Sequence, residues 1–201
     1  MCTAEKFVQI ALSEVGVTEE KYNKVKYNKW YYGREVSAYN DESGTYAWCC
    51  VFISWCAHMA GISEDIIPKF ALCTVGKAFF KKNGQDFTDA GEAKKGDIVF
   101  INWDGKSSPQ HVGIVVDKDD TTVTTVEGNR SNAVRLEKYS LDDKRLIGFG
   151  RPDFKEAEIE SAPQVNENDN AEIEERRNMI KKIIEYVISI FEIIFGKSFR
   201  E

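Results

Sequence analysis

The run Tyr46-Ala47-Trp48-Cys49-Cys50-Val51-Phe52-Ile53-Ser54-Trp55-Cys56-Ala57 joins a helical apolar repeat to two adjacent thiols. The helical pattern extends from Trp48 to Ala60, and Gly61 supplies a stop signal. At about 100° per residue, Val51, Phe52, Trp55, Cys56, Met59 and Ala60 fall in one broad arc, the predicted core face. Cys49 lies at the edge of that arc on the first turn, whereas Cys50 points toward the side of Ser54 and Ala57. A thiol on the first turn meets unsatisfied N–H groups and the positive end of the helix dipole, both of which favour the reactive thiolate. Cysteines also fill core space as small apolar residues, and that is the expectation for Cys56 and Cys73. For Cys49 taken alone the two readings weigh about equally.

On the N-terminal side, Phe7, Ala11 and Val15 recur every four residues, predicting a helix over 4–15 with Thr3 as N-cap and Gly16 as stop. Residues 17–47 are polar and tyrosine-rich without a sustained period and read as a long loop with short helical turns. On the C-terminal side a second helix is expected from Thr74 to Lys82. The period then changes from 3.6 to 2. Asp97–Asn102, His111–Val116, Thr122–Glu127, Ala133–Lys138 and Leu146–Phe149 are short β-branched or aromatic runs separated by turn residues. Helices first and strands afterwards predict an α+β fold, with N-terminal helices packed on an antiparallel sheet.

Composition sets outer limits. The 201 residues are 42% hydrophobic and 12% aromatic, which supports a folded core, and the net charge of -6 lacks the broad positive field that nucleic-acid binding needs. Five cysteines, an odd number without regular spacing, are no disulfide framework, and synthesis in a reducing compartment fits better. A zinc site is not expected, because Cys50, Cys56 and His58 fall on different faces of their helix. Asn40-Asp41-Glu42 is too sparse for calcium, so neither a metal nor a cofactor is expected. The chain enters an amphipathic pattern directly after Met1, without the basic, apolar and small-residue regions of a signal peptide. Synthesis in the cytoplasm, with action after release or export, is the expectation.

His111, one of two histidines, opens a predicted strand beside a loop, where an imidazole can be half buried and still reach a helix terminus. The next strand ends Glu127-Gly128-Asn129, offering a carboxylate and an amide to orient that imidazole. His58 reads as a surface residue.

Four pieces now stand in order: Tyr46-Ala47-Trp48-Cys49-x-x-Phe52-x-Ser54-Trp55-Cys56-Ala57, Gly96-Asp97-Ile98-Val99-Phe100, His111-Val112-Gly113-Ile114-Val115 and Val126-Glu127-Gly128-Asn129. Together they resemble the CHAP domain, a group of papain-like cysteine amidases and peptidases that cut bacterial peptidoglycan, over residues 6 to 152. The resemblance implies a papain-like fold, a nucleophile at Cys49, a general base at His111, a third member at Glu127 and a fourth polar group at Asn129. It also implies peptidoglycan as the partner, as for an endolysin cutting either the muramoyl–alanine amide or a bond within the peptide. Two departures are Cys50, where a small residue is usual, and Gln110, where many relatives carry Asp. A thiol protease or deamidase acting on protein is the competing enzyme reading. A non-catalytic assembly or membrane module is the competing non-enzyme reading.

The expected domain covers residues 1–152. Residues 153–170 are acidic and weakly hydrophobic, a tether by composition. Residues 171–201 hold an amphipathic repeat whose apolar arc runs through Ile180, Ile183, Ile184, Val187, Ile188, Ile190, Phe191, Ile194 and Phe195. Such side chains contribute about 1.5–3 kcal/mol each when fully buried, which favours self-association into a homo-oligomer. Lys181, Lys182, Glu185 and Glu192 interrupt the run too often for a bilayer span; a helix lying on a membrane surface is the rival, and docking on its own domain is a third possibility. Light scattering of the full chain and of a version ending at Asp153 is expected to show an oligomer and a monomer. Two monomers would remove the association, and liposome co-sedimentation of the full chain alone would favour the membrane.

Overall fold

A computed structural model describes residues 4–38, 46–104 and 106–154. The chain divides into the units Met1–Ala157 and Glu158–Glu201. The expected C-terminal helix, the tether from residue 155 onward and the run Asn40-Asp41-Glu42 lie outside the described residues.

Four helices precede the main strands: α1 (Ala4–Ser13), α2 (Lys26–Tyr32), α3 (Cys49–Ala60) and α4 (Cys73–Lys82). The strands are β1 (Asp86–Phe87), β2 (Ile98–Ile101), β3 (His111–Lys118), β4 (Thr122–Glu127), β5 (Arg135–Ser140) and β6 (Leu146–Gly150). They form one sheet in the order β1-β6-β2-β3-β4-β5, and every pairing is antiparallel. The α+β architecture is thus the one the change of period predicted. Two elements were not foreseen as such: α2, one short turn region inside the tyrosine-rich segment, and the two-residue edge strand β1, which is too brief to leave a pattern.

The helix α3 is the centre of the packing. It lies against β3, and α1 and α2 pack against α3 in turn. Because it is covered from several sides, its burial does not follow a single arc: Cys50, Ser54 and Ala57 are buried along with Val51, Phe52 and Cys56. Met59, assigned to the core face by helix phase, is instead 50% exposed in the last turn. In α1, Phe7, Val8 and Ala11 are buried while Val15 lies beyond the helix and is 40% exposed. The helix stops earlier than its repeat suggests because Gly16, at φ 94°, turns the chain so that its N–H donates to Val134 C=O at 2.9 Å.

Strand β2 is buried at all four positions, which explains its unbroken apolar sequence. Ile98 and Phe100 enter the core shared with the helices, whereas Val99 and Ile101 enter a second core with Val115, Val123, Tyr139 and Phe149. Just ahead of β2, Asp97 is buried and accepts from Arg151 Nε at 3.1 Å, Arg151 Nη2 at 2.8 Å and the Lys94 N–H at 2.7 Å. This clamp ties β2 to the exit of β6, giving the Gly-Asp start of that segment a structural purpose.

The turn after β4 crosses α3 so closely that a Cβ on Gly128 would lie 2.5 Å from Phe52 Cβ. Phe52 is fully buried and cannot yield. Gly128→Ala is expected to cost about 1–3 kcal/mol through overpacking, read as a lowered urea midpoint; an unchanged midpoint would show that the turn can move away from α3.

Candidate active site

Three elements bring the polar groups together. The Trp48 side chain is fully buried, its ring 5.4 Å from that of Tyr27, and its Nε1–H donates to Glu19 Oε2 at 2.6 Å. This fixes the entry to α3 and sets Cys49 at the first helical position. Trp48 itself provides no side-chain cap, so the first N–H groups of α3 have no intrahelical acceptor and favour negative charge nearby. Cys49 is 6% exposed and Cys50 is fully buried.

His111 begins β3 and is 7% exposed. The loop ahead of it is held by two side chains. Asn102 donates from Nδ2 to Ser108 C=O at 2.6 Å and accepts from Asp104 N–H at 3.0 Å and Lys106 N–H at 2.8 Å. Gln110 accepts from the Trp103 N–H at 2.9 Å. The glutamine that departs from the family pattern therefore staples this loop and holds Trp103 against the imidazole, with ring centroids 5.7 Å apart.

The imidazole is engaged on both sides. Its Nε2 lies 3.0 Å from Glu127 Oε2, and the neighbouring Cys49 thiol favours its protonated form. With Nε2 committed to the carboxylate, Nδ1 is the nitrogen left to serve the thiol. Glu127 has no exposed surface, and its second oxygen accepts from Thr125 Oγ1 at 2.7 Å and from Tyr139 OH at 2.9 Å. Arg130 Nε lies 3.8 Å from Oε2 at the rim. Room for this carboxylate depends on Gly113: a Cβ there would come within 2.8 Å of Glu127 Cγ.

Asn129, expected to help fix the imidazole, does not do so. It sits in the turn after β4 at φ 59°, and among the described residues its side chain makes no hydrogen bond. The strand ends at Glu127, so a residue two positions later is carried round the turn. Thr125 and Tyr139, which sequence reading missed, meet the carboxylate instead. Thr125 was findable, since period 2 places it on the same face of β4 as Glu127. Tyr139 was not, because its reach across from β5 depends on register.

Cys73 also departs from expectation. Assigned to core filling, it is partly exposed at the first position of α4. Its Sγ lies 3.2 Å from Cys50 Sγ, which is itself 4.0 Å from Cys49 Sγ, and all three sulfurs lie within 4.8 Å of one another. The phase of α3 separates Cys50, Cys56 and His58 but says nothing of this trio, whose third member comes from another helix. Cys56 is buried in the core and His58 is exposed, stacked on Trp30 at 5.0 Å, as expected for each.

Hydrogen bonds from Cys50 and Cys73, joined by His111, hold the Cys49 thiol well below its ordinary value against the opposing effect of burial. The same contacts push Cys50 and Cys73 up, so those two remain protonated donors. Burial alone would depress His111, but hydrogen bonds to Cys49 and Glu127 outweigh it and carry its pKa up to about 9. Both shifts favour a thiolate beside an imidazolium, the reactive form of a thiol nucleophile. Glu127→Gln is expected to lower the His111 pKa from about 9, measured by NMR titration of the ring protons; an unmoved titration would show that the carboxylate does not hold the imidazolium.

No curated protein matches the chain. Among solved structures, two crystal structures of Ly7917, one described "with the hydrolyzing product of MDP", align at 17% and 16% identity, each with a TM-score of 0.46. They cover 75% of this chain and 62% and 63% of theirs, so the aligned part is less than two thirds of that protein. Residues 41–129 match the family model of the CHAP domain. That segment carries the thiol, the imidazole and the carboxylate in the order in which the fold assembles them.

Proposed function

We propose that this domain is a cysteine-dependent hydrolase that cuts an amide bond of bacterial peptidoglycan. The observation that carries the reading is one imidazole held between a thiol at a helix N-terminus and a saturated, buried carboxylate. The substrate class comes from the CHAP domain and its resemblance to wall-cutting amidases and peptidases.

In this mechanism the Cys49 thiolate attacks the amide carbonyl carbon. The oxyanion that forms is met by the Cys49 backbone N–H at the uncapped start of α3. His111, already protonated, passes its Nδ1 proton to the leaving amine, and a thioester to Cys49 remains. His111 then takes a proton from water, the resulting hydroxide attacks the thioester, and the thiolate leaves with the imidazolium restored. Glu127 keeps the ring oriented and stabilises its charge through both transfers. Action on the wall after release or export completes the reading, in the manner of an endolysin.

Clearing of purified cell walls, followed by mass spectrometry of the fragments, tests the activity and names the bond. A freed muramic-acid carboxyl with a new alanine amine marks an amidase, and new ends within the peptide with the muramoyl–alanine amide intact mark an endopeptidase; digestion of casein with walls left intact would move the assignment to a protein-directed thiol protease.

Among variants, Cys49→Ala and His111→Ala are expected to lose nearly all turnover, roughly 10³-fold or more. Cys50→Ala is expected to keep most of it, with the acid limb of its pH profile moved to higher pH because the thiolate loses a donor. A dead Cys50→Ala beside an active Cys49→Ala would reassign the nucleophile.

The pH dependence follows from the same pair. Activity is expected to rise as the thiol ionises and to fall as the imidazolium loses its proton near pH 9. Glu127→Gln should retain more activity than His111→Ala and bring the alkaline limb to lower pH. A limb that stays in place would detach the proton donor from Glu127.

A further inference from the structure

We propose that Cys73 is a resolving thiol for Cys49: hydrogen peroxide oxidises Cys49, and Cys73 captures the product as a disulfide that dithiols reverse. The inference rests on Cys49 being a thiolate and does not require that peptidoglycan be the substrate.

The geometry brings a reactive thiol and a captor together from two helices. Cys49 opens α3 and Cys73 opens α4, and neither helix start carries a side-chain cap. The first residues of the two helices thus meet, with the three sulfurs within 4.8 Å of one another. Cys49 is the member of the trio held as thiolate, the form that peroxide attacks. Cys73 is partly exposed and can approach, while Cys50 is fully buried beneath.

Cys50 cannot do the capturing. Adjacent Cα atoms across a trans peptide are about 3.8 Å apart, short of the roughly 4.4–6.8 Å that a disulfide spans, and no cis peptide is present among the described residues. Cys73 has no such restriction, and its seat is built in. Ser54 Oγ on α3 accepts from the Phe70 N–H at 2.9 Å and also lies 3.0 Å from the Phe70 C=O, pinning the segment that leads into α4. Phe70 in turn packs so tightly on Gly76 that a Cβ there would lie 2.5 Å from the ring. The start of α4 is thus tied to α3 at Phe70, three residues before Cys73, and packs back on the same Phe70 ring at Gly76, three residues after it.

The chemistry balances in two steps. The Cys49 thiolate attacks one peroxide oxygen, the O–O bond breaks, and sulfenic acid and hydroxide result. The Cys73 sulfur then attacks the Cys49 sulfur, the S–S bond forms as the S–O bond breaks, and the hydroxyl leaves as water with the Cys73 proton. A dithiol reductant returns both thiols. Exchange onto Cys50, whose sulfur is 3.2 Å from Cys73, would move the bond to Cys50 and free Cys49 again.

Trypsin supplies a direct readout, since Cys49 and Cys50 lie in the peptide 35–69 and Cys73 in the peptide 70–77. The full chain is treated with a small excess of hydrogen peroxide, its free thiols are alkylated, and the digest is examined by mass spectrometry. The expected product is peptide 35–69 linked to peptide 70–77, lost on prior treatment with dithiothreitol. In Cys50→Ala the link persists and fragmentation places it at Cys49. In Cys73→Ala, checked for folding by circular dichroism, the link is absent and Cys49 proceeds to sulfinic acid, which dithiothreitol does not reverse. Wild-type protein whose Cys49 becomes sulfinic acid without the linked peptide would overturn the proposal. So would a Cys73→Ala protein that dithiothreitol restores as completely as wild type. Because the linked peptide is read without any cell wall, its absence in an actively wall-cutting protein would remove the resolving thiol and leave the hydrolase standing.

Discussion

A carboxylate with no contact to water persists as an anion only where donors meet its oxygens, and the arrangement around Glu127 follows from that constraint. Thr125 from the same strand, Tyr139 from β5 and His111 from β3 converge on its two oxygens. Gly113 leaves the space that its side chain occupies. Each of these residues is explained by the carboxylate, and the imidazole is aimed at Cys49 because its other nitrogen is held here. The pairing that raises His111 is the pairing that lets Cys49 remain ionised.

The thiol side of the site has its own support, built by helix termini. Trp48, anchored by Glu19, and Ser54, bonded to the backbone of Phe70, fix the first turns of α3 and α4 relative to each other. The result is a cluster in which Cys50 bridges Cys49 and Cys73, with all three sulfurs within 4.8 Å of one another. Hydrogen-bonded thiols thus support the charge that the helix dipole also favours, so the ionised state of Cys49 does not depend on His111 alone. Cys50 and Cys73 are therefore part of the electrostatics of the site as well as of its packing.

Several residues of the family pattern serve the frame. Asp97 accepts from Arg151 to hold β2 against β6, Gly128 permits the β4 turn to cross Phe52, and Ser54 ties α3 to the segment before α4. A short pattern of this kind is a record of close approaches and buried charges as much as of chemistry. The glycine after Glu127 and the one two residues after His111 are steric requirements for bringing the carboxylate to the imidazole.

The sequence by itself determined the order of helices and strands, because a change from a 3.6-residue to a 2-residue apolar period is a local property of the chain. It also singled out Cys49, His111 and Glu127, since each stands at the end of an element where a polar side chain can be half buried. Tertiary structure alone decided what surrounds them. Thr125 and Tyr139 reach Glu127 through strand face and register, Asn129 falls in the turn beyond the strand, and Cys73 meets Cys50 because two helix starts are fastened together. The burial of α3 followed the same division: helix phase gives one face, but neighbours on several sides buried Cys50 and Ser54, while Met59 is half exposed. Periodicity reports which residues prefer to be buried, whereas contacts between segments distant in the chain depend on distances that no local pattern encodes.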